Sequence, residues 1–130
     1  MTATTKDIET PVRAGLLYSF PVAAGVVIYA NSLVAMDITG YARPARATAT
    51  DRIIGRATSF IDNTSGTAGF DSTGRALACE VETGIFRWVN GDSIALIAHR
   101  GAVVYAQDNQ TVYASSNANA RPPAGRVVDV

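Results

Sequence analysis

His99 is the only histidine and Cys79 the only cysteine in the chain. A single imidazole excludes a metal centre or a proton relay built on two histidines. A Cys79–His99 thiolate–imidazole pair is the one nucleophilic arrangement left, and nothing in the spacing brings the two residues together. Cys79 sits in an apolar run and reads as a small buried hydrophobe, and His99 reads as a residue at a helix end. Glu80 and Glu82 alternate with apolar neighbours, so a strand sets both carboxylates on one face, as acid–base chemistry requires. A solvated strand face uses the same spacing and is the commoner reason for it. No phosphate loop is present, and Lys6 is the only lysine. Gly66, Gly69 and Gly74 lie in a polar stretch with no helix behind them to cradle an anion. These residues point away from an enzyme and imply neither a cofactor nor a bound metal.

The densest basic stretch is Arg43, Arg46, Arg52 and Arg56. It suits an acidic patch on a partner, or it pairs locally with Asp37 and Asp51. Arg43 and Arg46 are the interface candidates within it. Trp88, beside Ile85 and Phe86, reads as core. A carbohydrate-stacking platform needs exposed aromatics, and Tyr41, Tyr105 and Tyr113 are the candidates for one.

Charged residues make up 17% of the chain and the net charge is zero. Soluble domains carry about 25% charged residues. The shortfall leaves neutral surface of the kind other subunits cover. Zero net charge argues against nucleic-acid binding, which needs a cationic excess. The cations are nearly all arginine, whose planar fork suits interfaces. No apolar run approaches a membrane span, and the N-terminus lacks the apolar core of a signal peptide. The expectation is a soluble, intracellularly made, assembly-prone protein with no membrane partner.

Positioning falls to short strands. Residues 1–14 have neither helical nor strand periodicity and read as an extended arm. Ile8 and Val12 are its apolar anchors. Thr10 shares their face of an extended chain, and Arg13 completes the candidate contact set. Residues 15–130 read as a single β domain, a small barrel or sandwich of about eight to ten short strands. Strands are expected near 16–20, 26–29, 33–38, 52–61, 76–82 and 85–89, in a hairpin over 101–106 and 111–114, and near 125–130, with a loop or edge strand over 40–50. Asp92 followed by Ser93–Arg100 and Gly101 predicts one short helix near 92–100, capped by Asp92 and stopped by Gly101.

The chain also repeats a pattern. Gly25–Ala30, a break at Asn31-Ser32 and Leu33–Ala35 match Gly101–Ala106, a break at 107–110 and Thr111–Ala114. Ala42-Arg43-Pro44 and Gly55-Arg56 follow the first copy; Ala120-Arg121-Pro122 and Gly125-Arg126 follow the second. An isolated hairpin is marginal in water, so two copies packed together would share a core, with Val27 and Val103 facing into it.

Four segments carry a family resemblance: Glu82–Trp88, Gly101–Tyr105, Asp108–Val112 and Ala124–Asp129. Together they resemble the small capsid decoration, or cement, proteins of Mu-like and related tailed bacteriophages, over most of the chain from Gly15 onward. The resemblance implies an all-β domain, usually trimeric, on the outer capsid surface at local threefold axes. There it would bind major capsid proteins and staple neighbours together, after being made in the host cytoplasm. Relatives continue past the last Val-Asp with a short aromatic strand, whereas this chain ends at Val130. Some relatives carry a recombinase label, which the missing phosphate loop argues against here. The competing expectations are another virion part, in the tail or baseplate, and a host-glycan-binding β-sandwich.

Overall fold

The computed structural model of the chain describes residues 16–130. The arm candidates Ile8, Thr10, Val12 and Arg13 lie outside the described residues. Eleven short strands and one helical turn make up the rest, an all-β fold.

Five strands form the first sheet, in the order β1 (Leu17–Pro21), β7 (Ala78–Glu82), β5 (Arg52–Ala57), β3 (Leu33–Met36) and β4 (Ala42–Pro44). Its paired neighbours are all antiparallel. β2 (Val27–Ile28) and β6 (Ile61–Asp62) pair separately as a short ribbon. The remaining sheet runs β11 (Pro123–Arg126), β9 (Val103–Ala106), β10 (Thr111–Tyr113) and β8 (Val89–Asn90).

β3 explains the layering. Leu33, Val34 and Ala35 are all buried, so this strand is covered on both faces. Val34 points to one side, into a cluster with Ile28, Ala42, Ala57, Cys79 and Val81. Leu33 and Ala35 point to the other, against Ala106 with Ile53, Trp88 and Ala124. A third cluster holds Ile94, Val104 and Val112, and Trp88 and Ala124 pack against this one too. Trp88 therefore ties the two sheets together, as its reading as a core residue required.

Several expectations change. The break at Asn31-Ser32 is not a hairpin. Ser32 N–H donates to Tyr29 O in a turn with Asn31 at positive φ, and the chain then changes sheet. β2 pairs with β6, and β3 pairs with β4 and β5. In the second copy, β9 and β10 do form an antiparallel pair. Ile28 and Val104 belong to different clusters, so the two copies are not equivalent hairpins around one core. What they retain is a bulged glycine before arginine. Gly55 (φ 149°) and Gly125 (φ 157°) each sit at a register shift.

The expected helix is a single turn, α1 (Leu96–His99), followed by Gly101 at φ 79°. Asp92 does not cap it; the N-cap is Ala95, with no side-chain cap. Asn90 organises the approach instead. Its Oδ1 accepts from the N–H groups of Asp92 and Ile94, and its Nδ2 donates to Ile94 O. The final strand ends at Arg126 rather than continuing to Val130, although Val127 still exchanges backbone hydrogen bonds with Gly101 and Ala102.

Candidate functional site

Two kinds of feature compete to be the site: the polar residues singled out above, and an apolar cleft that no local pattern announces.

The polar residues are mostly occupied with one another. Arg46 makes a bidentate contact with the buried carboxylate of Asp51, at 2.7 and 3.2 Å. That bond holds the Arg46 guanidinium above its usual pKa. Arg43 lies 3.7 Å from Asp37. Arg56 donates to Glu82 at 2.6 Å and stacks its guanidinium 4.5 Å from the Phe86 ring centre. Arg52 is exposed. Glu80 accepts from the Thr58 hydroxyl. The alternating carboxylates thus share a face of β7, and each has its own cross-strand partner.

Cys79 is fully buried in the first cluster. Burial, and secondarily the charge of Glu80, pushes its thiol up to about 11. His99 lies at the end of α1 and folds its Nδ1 back to within 3.0 Å of Ala95 N. The two residues belong to different parts of the fold. Among the described residues no group of three His, Cys, Asp or Glu side chains is placed to hold a metal ion. No helix among them is long and apolar enough to cross a membrane.

The three tyrosines considered as a stacking platform are each half-buried, and Tyr113 carries Arg121 stacked 4.1 Å from its ring centre. The exposed aromatic pair is instead Tyr29 with Phe60, 5.6 Å apart.

The loops are held by a repeated device. Asp37, Asp62 and Asp71 each accept both the N–H and the hydroxyl of the threonine two residues on: Thr39, Thr64 and Thr73. Buried Asn63 reaches across the fold, donating to Ala23 O and Thr67 O at 3.0 Å each. The Asp-x-Thr spacing is a readable signal for such turns, and it was not singled out above.

A cleft of about 1030 Å³ opens beside the second core cluster's neighbours. One wall is the segment 84–90 and the other is 124–130, with Ile94, Val104 and Val112 between them. Phe86 and Trp88 turn inward and meet edge to face at 5.9 Å. Their alternating neighbours turn outward: Ile85 is 78% exposed and Val89 52%. On the opposite wall Val128 and Val130 are 54% and 64% exposed. Arg87, Arg126 and Asp129 are the charged residues that line it. Apolar side chains predominate among the lining residues, with polar backbone and the three charged groups exposed between them.

Comparisons with protein-family models, with curated proteins and with solved structures return no match.

Proposed function

We propose that this chain is a capsid decoration protein. It is a non-enzymatic virion component that lies on the outer surface of a tailed-phage head and staples neighbouring major capsid proteins. One observation carries the reading. The four segments that resemble decoration proteins fall within residues 82–129, and each contributes to one cleft: Gly84–Trp88, Val104, Val112 and Ala124–Asp129 all line it. The residues behind the resemblance thus form one structural unit with an apolar mouth, which suits an assembly contact. The low charge content supports the same reading, and a homotrimer is the form we assign to it.

The physical role is mechanical. Added contact area across capsomer joints opposes the shear that packaged DNA imposes. Non-polar contact contributes roughly 25 cal/mol per Å² removed from water, so modest contacts repeated over a shell add up. Arg43 and Arg46 already engage Asp37 and Asp51, so an acidic partner would have to compete with those carboxylates. That moves the docking surface toward the cleft.

The exposed Tyr29–Phe60 pair favours a second reading, a host-glycan-binding module, because sugars stack on exposed rings. Particles that lack the chain separate the two. If the protein is a cement, those particles lose DNA at lower temperature, and adding the purified chain restores resistance. Unchanged heat resistance together with reduced attachment to host cells would favour the glycan reading.

A further inference from the structure

Asn90–Gly91 is the only Asn-Gly pair in the chain. In an open chain such a pair is chemically labile. Glycine has no side chain to shield its backbone nitrogen, and that nitrogen then reaches the asparagine Cγ. Both residues are exposed here, so burial protects neither.

The fold engages both reacting groups instead. Gly91 N–H donates to Val112 O at 3.0 Å. The Asn90 amide is occupied with the residues that follow it. Its Oδ1 accepts from Ile94 N–H at 2.9 Å and from Asp92 N–H at 3.3 Å, and its Nδ2 donates to Ile94 O at 2.9 Å. These bonds close a turn in which Ser93 takes a left-handed φ of 53°. The turn delivers Ile94 to the cluster it shares with Val104 and Val112. Gly91 is needed for space. A Cβ there would lie 2.6 Å from Tyr113 Cε2 and 2.8 Å from Thr111 Cγ2. Structure thus requires both members of a labile pair.

The restraint is a small element. β8 is two residues long and is the outermost strand of its sheet. Its bonds to β10 include Val89 N–H to Gln110 O and Gly91 N–H to Val112 O. Short exposed elements open locally before the whole domain unfolds.

We propose that Asn90 is a deamidation site gated by β8. While β8 lies on β10 the amide persists. When β8 lifts, Gly91 N gives its proton to solvent and attacks Asn90 Cγ. The N–Cγ bond forms, the Cγ–Nδ2 bond breaks, and Nδ2 takes up a proton and leaves as ammonia. Water then opens the cyclic imide at one of its two carbonyls. Attack at Cγ gives aspartate, and attack at the Asn90 backbone carbonyl gives isoaspartate. Neither product rebuilds the turn. Aspartate sets an oxygen in place of Nδ2, facing Ile94 O, and isoaspartate also lengthens the backbone of β8. Each adds a negative charge close to Asp92. The change is one-way: a chain whose β8 has opened is marked, and its hold on Ile94 is weakened.

The test uses the free full-length chain and does not depend on the capsid reading. The protein is incubated at mildly alkaline pH across a urea series. The peptide containing Asn90 is scored by mass spectrometry for asparagine, aspartate and isoaspartate. Conversion should be at least tenfold slower in the native chain than in the unfolded one. It should begin below the urea midpoint of global unfolding, read by far-UV circular dichroism. Hydrogen exchange at Gly91 N–H should rise over the same range, and isoaspartate should be among the products. Asn90→Asp should lower the urea midpoint. Equal conversion in native and unfolded chains would overturn the proposal. So would conversion that waits for global unfolding, aspartate without isoaspartate, or an Asn90→Asp chain with an unchanged midpoint.

Discussion

Arg56 and Glu82 meet at 2.6 Å across β5 and β7, and Phe86 stacks on the same guanidinium. The contact joins the first sheet to the chain segment that leaves it for the cleft. Each side chain is about one-third exposed, which screens the pair. A double-mutant cycle with Arg56→Ala and Glu82→Ala should give a coupling of about 0.5–1 kcal/mol. Phe86→Leu should lower the stability contributed by Arg56 by a further few tenths, read from urea midpoints.

The two bulged glycines separate strain from crowding. A Cβ on Gly55 would collide with the Glu82 backbone carbonyl and lie 2.8 Å from Val81 Cγ1. A Cβ on Gly125 would meet nothing within 4 Å, although its φ is similarly positive. Gly125→Ala should cost about 1–2 kcal/mol, the strain alone. Gly55→Ala should cost at least about 2 kcal/mol more, because β5 and β7 must move apart. Equal losses in thermal unfolding would contradict the close approach at Gly55.

Asp37 links loop geometry to pH. Burial pushes its carboxyl up. The Thr39 hydroxyl, the Tyr41 and Thr39 N–H groups and the charge of Arg43 outweigh that effect and hold it below 3.8. A depressed folded value means that its stabilisation is complete above the unfolded value and is lost as pH falls through the folded one. Asp71 is lowered in the same sense, chiefly by the Thr73 hydroxyl and then by Arg75 N–H. Stability should therefore fall below about pH 4, and Asp37→Asn should flatten part of that slope. An unchanged slope would mean that the turn does not form in solution.

Cys79 should be inert. Its side chain is buried and its thiol is raised from 9.0 to about 11, so little thiolate exists near neutrality. A thiol reagent at pH 8 should label it only in denaturant. The raised value costs the fold nothing below about pH 9; stability is then lost as pH rises toward about 11. Rapid labelling of the native protein would place Cys79 outside the core.

Much of the fold was legible locally. Runs such as Leu33–Met36 and Val103–Ala106 read as strands because β-branched and apolar residues cluster between turn residues. Gly101 read as a helix stop because its positive φ suits glycine. Sheet membership was not legible, because strand pairing depends on distant partners. Asn31-Ser32 has turn chemistry, but nothing local says that the chain crosses to another sheet there. Asp92 looked like a cap because its carboxylate precedes an apolar run, but the helical turn starts only at Leu96, and Asn90 takes the Asp92 and Ile94 N–H groups before it. The cleft was invisible for the same reason as the pairing. Its walls come from 84–90 and 124–130, and only the folded sheet brings them together. The arginines were visible as a stretch, but their carboxylate partners decided what they could do.

The central proposal is that the chain coats phage heads. The most direct measurement on that proposal is the copy number of the chain per major capsid protein in purified, DNA-filled phage particles. Quantitative mass spectrometry of intact heads, separated from tails, gives that ratio. A fixed ratio on the order of one copy per capsid protein, with the chain confined to heads, is the result expected. Its absence from particles, or a handful of copies that travel with tails, would contradict the account.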